Sequence, residues 1–205
     1  MLQACLLAVI AGYADTVGFL RYDAFAGLMT GNTILLGIDI ARGEAAKAVY
    51  QTAIIGAFLA GVIVSRLMLR AGLPVWAALS LTAVLLVSCS VLDDRPAAVA
   101  LALAMGVQNS AANRFNGVAL NTVFITGNIQ KIGEGLLHWI WPAADSQGKS
   151  EGVAIFALVW FAYAVGAVAG AAVERVLAHP LWIAAAILPF IMLSFELPKL
   201  GRGAR

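Results

Sequence analysis

Asp, Glu, Lys and Arg are missing from long stretches of this chain that are nearly equal in size, and this spacing constrains the fold more than any motif. Charge-free windows run 48–65, 71–92, 96–113, 152–173 and 176–195. Residues 1–20 form a sixth, interrupted only by Asp15. Each is 18 to 22 residues long, close to the ~20 residues a helix needs to cross ~30 Å of hydrocarbon. Two shorter windows, 24–38 and 115–130, would reach only ~24 Å as helices. Composition agrees: 62% of residues are hydrophobic and 12% charged, whereas soluble domains carry about 25% charged residues. Too few polar side chains remain to cover a water-facing surface. A soluble globular protein, a disordered chain and a nucleic-acid binder are excluded, the last because a net charge of +2 supplies no phosphate-binding patch.

The flanks fit spans at these places. Pro74, Pro96 and Pro180 stand at span starts, where a missing N–H costs little. Tyr50, Trp76, Trp139, Trp141 and Trp182 stand at ends, as interfacial aromatics do. Arg66 and Arg70 can snorkel outward, and Pro189 predicts a kink in the last span. If the short windows do not cross, Arg66, Arg70, Arg114, Lys131, Lys149, Lys199, Arg202 and Arg205 share one side. Arg21, Arg42, Lys47, Arg95 and Arg175 take the other. The excess on the first side predicts that it is cytoplasmic and holds both termini. Cys5 and Cys89, isolated in apolar stretches, read as packing residues. Residues 1–14 lack the basic start of a secretory signal, so this segment is expected to stay.

The order long, short, long, long occurs twice. Met29-Thr30-Gly31-Asn32-Thr33 corresponds to Ile125-Thr126-Gly127-Asn128-Ile129, and Gly12-Tyr13-Ala14-Asp15 to Gly106-Val107-Gln108-Asn109. Phe58-x-x-Gly61-x-x-x-Ser65 corresponds to Tyr163-x-x-Gly166-x-x-x-Gly170. The expected fold is an all-α integral membrane protein. It forms a single membrane domain over 1–205, with one repeat at about 1–92 and another at about 96–197. Three crossings per half make this an inverted 3+3 repeat, each half carrying a short Thr-Gly-Asn half-span.

The runs from Gly12 to Leu20 and from Phe25 to Asn32, with Gly106 to Asn109 and Phe124 to Asn128, resemble the YoaK family of small six-span bacterial membrane proteins. The resemblance covers nearly the whole chain. It implies a bacterial inner-membrane protein and supplies no activity, transport being the usual suggestion for the family. Family members often carry Thr-Gly-Thr in the second half, and Asn128 departs from that.

Asp15 is the one acid deep in a long window, where a carboxylate costs roughly 2.5–3.5 kcal/mol to insert. Two readings stand: a proton or cation site, or a cap that accepts the orphan N–H groups of the chain break near Thr30-Gly31-Asn32. Asn109, its counterpart, could accept the same bonds without charge. A half-span beginning inside hydrocarbon leaves about four unpaired N–H groups. Thr and Asn side chains can satisfy them, and Gly permits close approach. The expected central site therefore comprises Asp15, Thr30, Gly31, Asn32, Gln108, Asn109, Thr126, Gly127 and Asn128. Thr16, Ser110, Asn113, Asn116, Asn121 and Thr122 add polarity nearby. Gly61/Ser65 and Gly166/Gly170 read as helix-packing faces. Glu134 and His138 share a helix face as a solvated pair, and His179 is interfacial.

No nucleophile elbow, zinc motif or phosphate-binding glycine loop occurs. No enzyme, metal or cofactor is expected. The partners expected are the lipid bilayer and an unidentified small polar solute or ion, with homo-oligomers left open and nucleic acid excluded. The function read from the sequence is small-solute or ion transport, proton-coupled if Asp15 titrates. The alternatives are an uncoupled channel or facilitator, a non-transporting scaffold, and an intramembrane enzyme acting on lipid.

Overall fold

The computed structural model describes residues 1–112, 114–115, 118–119, 125–141 and 153–200. Among them lie α1 (Leu2–Tyr22), α2 (Met29–Ala41), α3 (Ala45–Arg70), α4 (Val75–Ser88) and α5 (Asp94–Ala111). After a two-residue antiparallel pair, β1 (Arg114–Phe115) and β2 (Val118–Ala119), come α6 (Ile125–Ile140), α7 (Val153–Glu174) and α8 (Leu181–Leu200). Helices α1, α3 and α7 are long and apolar enough to cross a bilayer, whereas α2 and α4 are shorter apolar helices. The small β pair is the one departure from an all-helical chain among the described residues.

Local chemistry sets the helix ends. Helix α1 stops at Asp23, whose left-handed φ of 52° lets its N–H return to the Phe19 carbonyl, a conformation Asp tolerates better than most residues. Helix α3 runs past its charge-free window to include Arg66 and Arg70, whose long stems can lie along the apolar surface. The window 71–92 holds a helix of only 14 residues. Pro74 fixes its start, and past its end the hydroxyls of Ser88 and Ser90 donate to the Leu85 and Val87 carbonyls. Helix α8 continues through Pro189.

Helix α1 lies at the centre. Leu7, Ile10 and Val17 are fully buried with Ile54 of α3, Leu79 and Leu86 of α4, Leu101 and Met105 of α5, and Leu188 and Ile191 of α8. By contrast, α3 and α7 turn Leu59, Ile63 and Leu67, and Leu158, Phe161 and Val168, to the outside. Such a belt of large apolar side chains suits lipid and not water.

The pairing of helices is ordered. Helix α1 packs on α7 and α3 on α5; α2 lies on α3 and α6 on α7; α4 packs on α5 and α8, and α8 on α1. Glycines set the two closest approaches. A Cβ on Gly12 would meet the Tyr163 carbonyl oxygen at 2.1 Å, and one on Gly106 would meet the Phe58 carbonyl oxygen at 2.1 Å. Likewise Gly166 abuts the Val9 carbonyl and Gly61 the Leu103 carbonyl. Backbones this close exclude any side chain, the small-residue logic of membrane helix contacts. The packing role expected for Gly61, Gly166 and Gly170 matches these contacts.

Hydrogen bonds fix which helix ends lie together. Gln3 Nε2 donates to the Ser194 carbonyl at 3.0 Å, joining the first turn of α1 to α8. At the opposite end Arg21 pairs with Glu174 at 3.2 Å and donates to the carbonyls of Leu177 and Ala178, both at 2.7 Å. Tyr50 Oη donates to the Tyr22 carbonyl at 2.7 Å, so α3 begins beside the end of α1.

Candidate functional site

Asp15 lies two turns before the end of α1, about 10 Å along the axis at 1.5 Å per residue. There its carboxylate is 3% exposed. One oxygen accepts the N–H of Gly27 at 2.6 Å and of Leu28 at 3.1 Å. The other accepts the Tyr163 hydroxyl of α7 at 2.6 Å. The chain leaving α1 at Tyr22 has therefore turned back alongside that helix before α2 begins at Met29. The end of α2 is again level with the end of α1: Asp39 and Arg42 line one cavity with Tyr22 and Asp23. Of the two readings for Asp15, capping describes its contacts. It holds the N–H groups of Gly27 and Leu28 just before α2, which would lose that partner without it.

Asn32 does different work from the capping expected of it. Fully buried, it accepts the Phe25 N–H and donates to the Phe25 carbonyl, both at 2.8 Å. This pairing pins segment 23–28 onto the first turn of α2. Gly31 leaves room for the Phe25 ring, which a Cβ would meet at 2.7 Å. That ring stacks on Phe19 at 4.7 Å between centroids. Thr30 points outward, and Thr33 donates to the Met29 carbonyl. Asp15, Gly31 and Asn32 thus gather round one segment, and Thr30 stays outside the group.

The second-half residues are arranged otherwise. Ile125-Thr126-Gly127-Asn128 forms the first turn of α6, as Met29-Thr30-Gly31-Asn32 does in α2. Asn128 is buried, while Thr126 and Gly127 are exposed. Gln108 Nε2 donates to the Leu7 carbonyl at 3.1 Å, across the α1–α5 contact. Its Oε1 is buried without a partner among the described residues, as are Asn109 Oδ1, Ser110 Oγ and Ser65 Oγ. Such atoms normally find water or another polar group. Thr16 touches the Gly170 position. Glu134 pairs with Lys131 at 2.8 Å and accepts from Gln130 at 2.9 Å; the His138 side chain is outside the described residues, as are Asn113, Asn116, Asn121 and Thr122. His179 stacks on Trp182 at 5.2 Å.

Sequence reasoning missed Tyr163 and the cavity. Tyr163 entered the sequence reading only as the counterpart of Phe58, as Asp15 is the counterpart of Asn109. That paired difference was the available signal. The cavity, about 530 Å³, opens where α1, α3 and α5 meet the end of α2, and its walls include Arg21, Asp23, Asp39, Gln51, Asp94 and Arg95. On its rim the Lys47 ammonium beside Glu44 holds that carboxyl below the usual range. Among the described residues no group of three or more acidic, His or Cys side chains could hold a metal ion.

Lipid-facing apolar helices around a buried carboxylate that holds backbone define a multi-pass helical membrane protein. The chain belongs to the DUF1275 family, described as a protein of unknown function, whose pattern it matches over residues 3–194. It is similar to the UPF0700 transmembrane protein YoaK of Bacillus subtilis strain 168, at 27% identity over 96% of this chain and 94% of that one. The UPF0700 transmembrane protein RA0705 of Rhizobium meliloti strain 1021 is 25% identical over 94% of this chain and 85% of its own. The resemblance to the YoaK family is therefore a family membership, and the relatives are bacterial transmembrane proteins. No solved structure matches significantly.

Proposed function

We propose that this protein is a passage for a small polar solute or ion across the bacterial inner membrane, built as an inverted repeat of two three-crossing halves. The observation that carries the reading is the grip of Asp15 on Gly27 and Leu28, about 10 Å inside the layer that α1 spans. A chain that enters hydrocarbon, breaks and leaves by the face it entered survives only against protein or a wet cavity. Repeat transporters place their ligands at such broken elements.

Three features support the repeat. Exchanging α1 with α5, α2 with α6, α3 with α7 and α4 with α8 maps every helix pairing onto itself or another except the slight contact of α3 with α4. The interlocked glycines exchange in the same way, and α2 and α6 open on the same Thr-Gly-Asn turn. Arg21, Arg42, Lys47 and Arg95 gather round the cavity, on the side that the charge bias makes external, with both termini cytoplasmic. The buried oxygens of Gln108, Asn109, Ser110 and Ser65 support a polar, hydrated stretch along α5. Phe19 lines the cavity and stacks on Phe25, and in this reading the two rings are the closure between the cavity and Asp15.

Both Asp15 oxygens are committed to hydrogen bonds, which favours a facilitator over a proton-coupled carrier. We further propose that the chain carries out no covalent chemistry. The test is reconstitution into phospholipid vesicles, with urea and glycerol followed by light scattering, ammonium by an enclosed pH dye, and potassium by the same dye with a protonophore added so that protons leave in exchange. At least one probe should enter faster than into empty vesicles, and Phe25→Ala should speed it further. Asp15→Asn should leave that entry insensitive to a pH gradient. Folded protein that accelerates none of the probes would overturn the passage reading and leave the scaffold.

A further inference from the structure

The cavity at the joint of α1, α2, α3 and α5 has charged groups on its walls that internal pairing does not use up. Arg21 is committed to Glu174 and to the carbonyls of Leu177 and Ala178, and Lys47 to Glu44. Three carboxylates remain, Asp23, Asp39 and Asp94, against the guanidiniums of Arg42 and Arg95. Arg95 lies over the Tyr50 ring, its Cζ 5.8 Å from the centroid. The wall left over is therefore acidic, and it favours a cation.

Gln51 adds a second observation that concerns hydrogen bonding and not charge. It is 4% exposed and lines the same cavity. Its Nε2 donates to the Asp23 carbonyl at 3.0 Å, which fixes the amide's orientation and turns Oε1 into an acceptor. That oxygen is buried and has no partner among the described residues, a state that is costly unless a donor arrives. Asp39 is 8% exposed on the same cavity; its backbone carbonyl accepts the Glu44 N–H, and its carboxylate, within the field of Lys47, makes no hydrogen bond or ion pair among the described residues. A bare metal cation could also coordinate an amide oxygen, but it needs several ligands together, and among the described residues no group of three or more acidic, His or Cys side chains could hold one. An ammonium group satisfies both acceptors, since it carries charge and several N–H donors. The volume, about 530 Å³, suits a small organic molecule.

We infer that this cavity binds a small primary ammonium ion, with Gln51 Oε1 and the Asp39 carboxylate taking its N–H groups. Binding here is separate from passage and would stand if no solute crossed the membrane. The full chain, purified in detergent, is titrated calorimetrically at fixed ionic strength with methylammonium, tetramethylammonium, potassium and acetate. Methylammonium should bind saturably, about tenfold or more tightly than tetramethylammonium, which has the same charge and no N–H, and than potassium. Asp39→Asn and Gln51→Leu should each weaken it by about tenfold or more, with helical melting by circular dichroism reporting the folded state. Should Gln51→Leu not fold, Asp39→Asn decides, because that carboxylate holds no hydrogen bond or ion pair among the described residues. Equal binding of tetramethylammonium or potassium, preferred binding of acetate, no saturable binding, or unchanged affinity in folded Asp39→Asn would each overturn the assignment.

Discussion

Two helix pairs, α1 with α7 and α3 with α5, use the same steric device and opposite polar chemistry. In each, a glycine presses against the carbonyl of a residue on the partner helix: Gly12 on Tyr163, Gly106 on Phe58. Three residues after each glycine comes a polar side chain. In the first pair it is Asp15, whose two oxygens receive two backbone N–H groups and the Tyr163 hydroxyl. In the second it is Asn109, whose Oδ1 is buried and unpartnered among the described residues, opposite a helix that carries Phe58 in place of tyrosine. Packing has been kept in both pairs and the anchored carboxylate in only one. The scaffold therefore does not need the charge in order to form; the turn before α2 does.

Substitutions can break or sharpen that contrast. The largest effect should come from Asp15→Ala, which strands three donors inside the protein at ~1–3 kcal/mol each, read as lost thermal stability in detergent. Next, Gly12→Ala and Gly106→Ala should each cost about 1–3 kcal/mol by forcing backbones apart. Near-equal losses on thermal melting would support equivalent packing, and a loss confined to Gly12 would break it. Tyr163→Phe should cost about 0.6–1.7 kcal/mol, the range for interhelical hydrogen bonds in membranes, while Phe58→Tyr should be neutral or stabilising by giving Asn109 a donor. Smallest of all, Asn109→Ala should change stability by less than ~0.5 kcal/mol. A cost matching that of Asp15→Ala would mean that Asn109 anchors backbone as Asp15 does.

Much of the helix layout was legible because charge spacing reports it directly. The windows at 1–20, 48–65 and 152–173 fall on α1, α3 and α7, and the small-residue faces at Gly61 and Gly166 carry the contacts their spacing implies. That Asp15 accepts backbone N–H groups beside α2 was legible as one of two readings, since the chain break near Thr30-Gly31-Asn32 offers such groups; the other, a proton or cation site, stands beside it. What Asn32 does was not, because its partner is the backbone of Phe25, and backbone partners leave no mark on sequence. The window 71–92 overstated its helix, because Ser88, Cys89 and Ser90 are uncharged and yet end it by bonding back to carbonyls. The ammonium-binding cavity could not be seen. Its walls come from the ends of four helices, and in the sequence each charge there reads as an ordinary solvated flank.

The crossed pairing has a consequence for how the molecule is assembled. Because α1 finds its closest partner in α7 and not in α2 or α3, the face carrying Gly12 and Asp15 must wait until most of the chain has been synthesised. During that interval a carboxylate in lipid lacks the tyrosine that will later meet it. The two halves are interlocked like clasped hands: cut between α4 and α5, neither fragment should hold its shape in isolation, yet the pair produced together could reunite.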